Sequence, residues 1–187
     1  MSDTYYVKTF GGLEITNDNV TVNIVELFGK QLVNLLQVLL FHSEKPVQKD
    51  ELIDILWPES KNPSSALKFS IFRLRAELNE IEFFKDKEVI VTTRKGYILN
   101  PNLDWNIDFV ELEKAYNQIN DGSELLDEKE FKTARKIFRL YQGRFYASPS
   151  QLHWILQKQE IFRQMYVKTM MRTSCYLYTQ KRYDEMM

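Results

Sequence analysis

The chain has 187 residues, of which 44% are hydrophobic and 27% are charged, and its formal net charge is -1. This length admits one large domain or two small ones, and we expect two. No segment has the roughly eighteen consecutive apolar residues of a membrane span, and the N-terminus lacks a signal-peptide pattern, so we expect a cytoplasmic protein without membrane contacts. One cysteine and two histidines exclude an internal disulfide and provide no metal cluster, so we expect neither a metal nor a cofactor.

The distribution of charge is more informative than its sum. Residues 1–60 carry four lysines and nine acidic residues, whereas residues 61–100 carry eight basic and five acidic residues. Within 61–75 there are four basic residues and no acidic one. A local basic surplus is typical of nucleic-acid contacts, although most charge runs are simply solvated surfaces. Charge alone is therefore a weak indication that 61–100 meets nucleic acid.

The first sixty residues predict a small antiparallel sheet followed by two helices. Alternating apolar and polar residues, interrupted by turn sequences at Gly11-Gly12 and Asn17–Asn19, predict the strands. Leucines recur at helical spacing from Lys30 to Ser43, which predicts a largely buried first helix. Asp50 to Trp57 has the same spacing and is followed by proline, so we predict a short second helix there.

A third helix is predicted from Asn62 to Ile81, because Asn62 can cap free amides and Pro63 is tolerated in a first turn. Its buried stripe comprises Leu67, Ile71, Leu74 and Leu78. At about 100° per residue, the opposite face carries Ser65, Phe69, Phe72, Arg73 and Ala76, with Lys68 and Arg75 on its flanks. We expect this face to meet a partner.

Val89 to Leu99 predicts a β-hairpin with a basic tip, Arg94-Lys95-Gly96, as its turn. A sheet, three helices and a basic hairpin describe an α+β winged helix-turn-helix domain, residues 1–100. In that fold the third helix enters the major groove and the hairpin, or wing, touches the DNA backbone or minor groove. Arg73 suits a guanine or phosphate contact, and Arg94 suits a narrow minor groove.

The candidate DNA-binding residues are Ser65, Lys68, Phe69, Phe72, Arg73, Arg75, Thr93, Arg94 and Lys95. Three of these residues leave alternatives open. Phe69 and Phe72 can pack on thymine methyl groups, form a patch that another protein covers, or turn back into the core, an alternative that has more weight for Phe72. Arg75 can contact phosphate or form a structural salt bridge.

Residues 101–106 are interpreted as a linker, and residues 107–187 as an all-α domain. Capping boxes, Asp108 with Glu111 and Asp127 with Glu130, predict the starts of two helices. The remaining predictions are a connection through Asp121–Ser123, a long helix over Gln151–Thr179, and a turn with the opening of a further helix from Lys181 to Met187. Aromatic residues recur through this half and are expected mainly to fill the space between helices.

Several motifs resemble known bacterial regulators. Phe10–Ile15, Asp50–Pro58, Arg73–Arg75 and Lys95–Leu99 are similar to the OmpR-type winged helix. Ile107–Phe109, Tyr141–Phe145 and the helix around Trp154 resemble the bacterial transcriptional activator domain, a tetratricopeptide-like helical module. In this order, over nearly the whole chain, the motifs resemble the SARP family of activators.

The resemblance implies a transcription activator that binds double-stranded promoter DNA. It implies that the loop Pro58–Asn62, through Glu59, Ser60 and Lys61, faces RNA polymerase, and that the helical domain supports a homodimer or regulation. This sequence departs from the family in its outward phenylalanines, where polar residues are common, and in a wing one residue shorter than expected.

A protein-interaction scaffold whose winged helix does not bind DNA remains the alternative function, favoured by the two phenylalanines and the acidic first sixty residues. An enzyme is not expected, because the sequence has no glycine-rich phosphate loop, nucleophile elbow or metal-ligand cluster. We also expect the helical domain to continue in a longer protein, since the helix that opens near Tyr183 has no predicted partner.

Overall fold

The computed structural model describes residues 4–119, 126–147 and 152–185. The strands are β1 (Thr4–Lys8), β2 (Glu14–Asn17), β3 (Val20–Asn23), β4 (Ile90–Thr92), β5 (Tyr97–Leu99) and β6 (Asp104–Ile107). The α-helices are α1 (Ile24–Leu27), α2 (Lys30–Phe41), α3 (Lys49–Leu56), α4 (Pro63–Asn79), α5 (Asp108–Ile119), α6 (Glu128–Leu140) and α7 (His153–Thr179). Short 3-10 helices occupy Glu82–Phe84 and Tyr183–Glu185.

The strands form a four-stranded sheet in the order β3-β2-β1-β6 and a separate ribbon of β4 and β5. In the ribbon the strands are antiparallel, with Ile90 opposite Leu99 and Thr92 opposite Tyr97. Strand β6 occupies part of the segment 101–106 that the sequence predicted as a linker. Its four residues alternate polar and apolar side chains, a strand pattern that the linker interpretation overlooked because the run is so short.

The chain divides into two compact units, each made of two chain segments. The first comprises Met1–Tyr5 and Glu14–Trp105, and the second comprises Tyr6–Leu13 and Asn106–Met187. Eight residues near the N-terminus therefore belong with the helical half of the chain.

The first unit has its core where α2, α3 and α4 pack against one another. Helix α2 is buried over the whole run Leu32–Leu40, as its leucine spacing predicted. Leu52 of α3 and the predicted stripe of α4, which includes Leu67 and Leu74, are also buried. The three predicted helices and the buried side of the third are therefore confirmed.

The first turn of α4 differs from the prediction in one detail. Pro63 is its first residue, as predicted, but the side chain of Asn62 makes no capping hydrogen bond. The backbone of Asn62, at φ -137° and ψ 65°, lies outside the extended region that capping residues usually adopt. The predicted cap at Asn62 is therefore wrong.

The two predicted capping boxes have opposite outcomes. At the start of α6 the box is formed, because the Asp127 carboxylate accepts a hydrogen bond from the Glu130 amide and the Glu130 carboxylate accepts one from the Asp127 amide, both at 2.7 Å. At α5 the predicted box is wrong. Asp108 is already the first helical residue, and Glu111 instead pairs with Lys136 of α6 at 2.6 Å.

The carboxylate of Asp108 is buried and joins the N-terminal segment to α5 within the second unit. It accepts hydrogen bonds from the Thr9 amide at 2.7 Å, the Phe10 amide at 3.1 Å and the Thr9 hydroxyl. Burial raises the pKa of Asp108, and the hydrogen bonds from Thr9 and Phe10 oppose that shift. The short segment Tyr6–Leu13 therefore supplies hydrogen-bond donors to the buried Asp108 carboxylate.

Aromatic rings fill the core of the second unit, as the sequence predicted. The Phe162 ring of α7 lies 4.9 Å from the Phe145 ring and 5.3 Å from the Phe10 ring, measured between centroids. Phe131 of α6 stacks on Tyr176 of α7 at 5.1 Å. Their separations are those of favourable aromatic pairs, so these rings stabilise the packing between elements.

Two predictions concern segments that lie wholly or partly outside the described residues. The connection predicted through Asp121–Ser123 lies outside the described residues, as do the last two residues of the predicted final helix. The described part of that helix, Tyr183–Glu185, forms a 3-10 turn.

None of the helices in the described ranges has both the length and the apolar character needed to cross a bilayer.

The Glu111 pair gives a pH-dependent prediction. The hydrogen bond from Lys136 lowers the pKa of Glu111 below its ordinary value of 4.5. A carboxylate with a lowered pKa in the folded state stabilises the protein above its unfolded pKa, and this contribution is lost as the pH falls through the folded pKa. Glu111→Gln is therefore expected to lower the free energy of unfolding at pH 7 by about 0.5 kcal/mol, measured by urea denaturation.

The difference between the wild type and Glu111→Gln should shrink as the pH falls below 4.5. Glu80→Gln, a charge-matched change at an exposed carboxylate of the first unit, provides the baseline for removing one surface charge. A stability difference that stays constant across the acidic range would contradict the role assigned to Glu111.

Candidate nucleic-acid interface

Helix α4 and the wing, defined as β4, β5 and the turn between them, carry the predicted interface. The buried stripe of α4 packs against α2 and α3, which leaves its opposite side exposed. The connection from α3 to α4 is a tight turn in which the Ser60 amide donates to the Trp57 carbonyl at 3.1 Å. Glu59 and Lys61 are exposed in this loop, and Ser60 is half-buried.

The exposed side of α4 is the side that helical periodicity predicted. Its exposed residues include Ser65, Lys68, Phe69, Phe72, Arg73 and Ala76. Phe69 is 61% exposed and Phe72 is 69% exposed. The alternative in which either ring packs into the core is therefore wrong.

Arg73 lies on this side with its side chain about half exposed. Its Nη2 atom is 3.1 Å from the Glu77 carboxylate, one helical turn further along α4. An exposed pair of this kind contributes at most about 1 kcal/mol. Glu77 therefore orients Arg73 along the helix surface without holding it strongly.

Arg75 points toward the wing and joins it to α4. Its Nε and Nη2 atoms donate to the Ile90 carbonyl at 3.1 and 2.8 Å, and Nη2 also donates to the Thr92 hydroxyl at 2.8 Å. Arg75 is half-buried. Neither of these two partners is a carboxylate. The hydrogen bonds give Arg75 a structural role, which the sequence left open as a salt bridge, but its partners are the Ile90 carbonyl and the Thr92 hydroxyl of β4. Local sequence did not identify these partners, because Ile90 lies 15 residues away.

The turn of the wing is organised by Thr93. Its amide donates to the Gly96 carbonyl at 2.8 Å, and its hydroxyl oxygen accepts from the Lys95 and Gly96 amides, each at 3.2 Å. The Thr93 side chain thus serves the turn itself. Arg94 and Lys95 remain exposed at the tip.

Gly96 allows the wing to lie against the connection between α2 and α3. The Val47 amide donates to the Tyr97 carbonyl at 2.8 Å, and the Tyr97 amide donates to the Val47 carbonyl at 3.0 Å. Gly96 has φ +149°, and a Cβ atom at this position would lie 1.8 Å from the Val47 carbonyl oxygen. The sequence predicted a turn glycine, but this close approach depends on Val47, far away in the chain.

Four exposed cations, Lys68, Arg73, Arg94 and Lys95, therefore lie on two elements of the first unit that Arg75 ties together. The described ranges contain no group of three metal-ligating side chains. The geometry suits a polyanion contacted by a helix and a hairpin together.

Residues 25–99 match the family described as "Transcriptional regulatory protein, C terminal". This chain carries an OmpR-type winged-helix domain. The matched region begins within α1 and ends with the last residue of β5, so it includes α4 and the wing. No protein of curated function matches the chain in sequence.

Two solved structures are similar to this one. EmbR of Mycobacterium tuberculosis, solved in complex with a low-affinity phosphopeptide, has a TM-score of 0.64 and 17% identity over 89% of this chain. The match covers 43% of the EmbR chain, so this chain spans less than half of EmbR. The DNA-binding domain of Escherichia coli CadC has 24% identity and a TM-score of 0.39, over 53% of this chain and 92% of that domain.

The likeness to EmbR concerns the fold. It extends over most of the chain, and so covers the mostly helical second half as well as the winged helix. The predicted fold class, an α+β winged helix followed by a helical region, is confirmed.

The close approach at Gly96 gives a stability prediction. Gly96→Ala would force the wing away from Val47 and place a side chain at φ +149°, so we expect a loss of about 2 kcal/mol or more in the free energy of unfolding. Gly29→Ala is the matched control, because a Cβ atom there meets nothing within 4 Å. Equal losses in the two variants, measured by urea denaturation, would contradict the tight contact.

Proposed function

We propose that this chain is a sequence-specific transcription activator that binds double-stranded promoter DNA. The observation that carries the proposal is the set of exposed cations on α4 and the wing, two elements that Arg75 joins. In this proposal α4 occupies the major groove and the wing lies on the backbone or in the adjacent minor groove. The family match supports a regulator rather than an enzyme.

The proposed contacts follow from side-chain chemistry. Arg73 can donate two parallel hydrogen bonds to a guanine edge or to a phosphate. Lys68 and Ser65 suit phosphate contacts, which position the helix without reading sequence. Arg94 and Lys95 suit the backbone or a narrow minor groove beside the α4 site. Arg75 and Thr93 support the interface by holding the wing in place.

Activation and self-association complete the proposal. The exposed Glu59 and Lys61 in the loop before α4 are accessible to RNA polymerase. In the second unit, α7 exposes Met171 and Tyr178, which are 62% and 66% exposed and support a homodimer contact. The SARP resemblance motivates both assignments.

A protein-interaction scaffold is the second candidate function. The observation that favours it is the pair of exposed rings, Phe69 and Phe72, on the same side of α4. Exposed apolar patches commonly mark protein contacts. Under this alternative α4 covers another protein surface, and affinity for DNA is absent.

DNA binding is tested by fluorescence anisotropy with promoter duplexes over a salt series. We expect the logarithm of affinity to fall linearly with the logarithm of salt concentration. Arg73→Ala should cost roughly 1 to 3 kcal/mol if Arg73 contacts a base, and Arg94→Ala should reduce the salt slope by about 1 if Arg94 contacts phosphate. A stoichiometric titration in the same assay counts the chains bound per duplex.

Arg163→Ala is the matched control for Arg73→Ala. Arg163 is also exposed on a helix and pairs with a nearby glutamate, Glu160, at 2.8 Å, but it belongs to the second unit. Its removal should leave affinity and salt slope unchanged. Wild-type affinity in both Arg73→Ala and Arg94→Ala contradicts the assigned site, and absence of salt-dependent DNA binding supports the scaffold.

The polymerase-facing loop gives a separate prediction. Glu59→Ala and Lys61→Ala should leave DNA affinity within about twofold of wild type, since these residues are assigned to the polymerase. Both should reduce transcript yield in a reconstituted transcription assay at saturating protein. Unchanged transcription in both variants would remove the loop from the proposed mechanism.

A further inference from the structure

The middle of the exposed side of α4 is apolar, and its charges lie at the edges. At about 100° per residue, the side chains from Phe72 to Arg73 span an arc of roughly 100°. Phe69 and Ala76 lie near the middle of this arc, with Phe72 on one side and Arg73 on the other. Lys68 lies beyond Phe72. The centre of this arc, from which a recognition helix meets base edges, therefore carries Phe69 and Ala76, which have no side-chain hydrogen-bonding group. The one polar side chain within the arc is the small hydroxyl of Ser65, one turn before Phe69.

The apolar middle is extensive and open. Phe69 and Phe72 are more than half exposed, and Ala76 is exposed between them and the end of the helix. Phe72 and Ala76 also line a depression of about 420 Å³ that runs to Val89, just before the wing. Leaving two large rings in water forgoes the transfer free energy that their burial would gain.

The charges around the rings favour DNA as the partner that covers them. The exposed cations of α4 beside the rings are Lys68 and Arg73, which lie on opposite sides of them. Arg73 also pairs with Glu77, one turn further along the helix, at 3.1 Å. A partner that covers the rings must therefore lie between cations, as the floor of the major groove lies between two phosphate backbones. Among the groups on base edges in that groove, the thymine C5-methyl is the apolar one, and phenylalanine and alanine are suited to contact it.

We propose that Phe69 and Phe72 contact thymine methyl groups, and that the operator therefore presents closely spaced thymines to α4. Side chains three residues apart on a helix are about 5 to 6 Å apart, and successive base pairs are 3.4 Å apart. The two rings thus cover thymines within about two base-pair steps of each other. This inference rests on the proposed DNA-binding function and specifies the sequence class that α4 recognises.

The test replaces thymine by deoxyuridine, which removes the methyl group and keeps every base hydrogen bond. The full chain is first used to select duplexes from a random library, and the thymines of the selected site are then replaced one at a time. For wild type, each contacted thymine should show about fourfold weaker binding after replacement, as expected for one buried methyl group. Replacement outside the selected site should have no effect.

The phenylalanine variants connect the methyl effect to the rings. In the double variant Phe69→Ser, Phe72→Ser, which leaves no apolar side chain at either position, duplexes with thymine and with deoxyuridine should bind equally. Both rings are exposed, so folding should be retained, which circular dichroism checks. Leu27→Ala removes an apolar side chain that is 58% exposed on α1, and it should keep the wild-type preference for thymine.

The outcomes separate this inference from the function on which it rests. Salt-dependent binding that is insensitive to deoxyuridine overturns the thymine contact and leaves the DNA-binding proposal standing. An equal methyl effect in wild type and the double variant also overturns it, because the methyl groups would then be recognised elsewhere. Failure of wild type to bind or select any duplex overturns the DNA-binding proposal itself, and with it the inference.

Discussion

The hydrogen bonds from Arg75 to β4 are the interaction on which the proposed interface depends. A winged helix can contact two grooves of one duplex only if its recognition helix and wing keep a fixed separation. Arg75 supplies that constraint with one guanidinium, which binds the Ile90 carbonyl and the Thr92 hydroxyl. The bridge between Val47 and Tyr97 holds the other strand of the wing against the α2–α3 connection. The cations at the tip therefore extend from a doubly anchored ribbon.

The exposed side of α4 then separates two physical tasks. Cations at its edges suit the phosphates, which supply affinity that weakens with salt but do not distinguish sequences. Phe69 and Phe72 are exposed on α4; in the proposed complex they meet base edges, where an apolar contact distinguishes thymine by its methyl group. In the proposed function the same rings that first favour a protein partner become the specificity element of a DNA partner.

The helical unit depends on a buried carboxylate in an analogous way. Asp108 is costly to bury as a charge, so it requires the amides of Thr9 and Phe10 and the Thr9 hydroxyl. Phe10 then reaches the Phe162 ring. The segment Tyr6–Leu13 therefore belongs to the helical unit, although it precedes the winged helix in sequence. A fragment that starts after the winged helix would lack these partners.

The sequence by itself determined the features that depend on neighbours within a few turns of chain. Helical periodicity predicted α2, α3, α4 and the outward side of α4, and the local box at Asp127 formed as predicted. The same pattern at Asp108 did not form a capping box, because the Asp108 carboxylate accepts hydrogen bonds from Thr9, 99 residues away. Only the tertiary structure decided that contact, the Arg75 bonds and the close approach at Gly96. The physical reason is that buried or partly buried polar groups are satisfied by whichever segment packs beside them, and local pattern does not specify that segment.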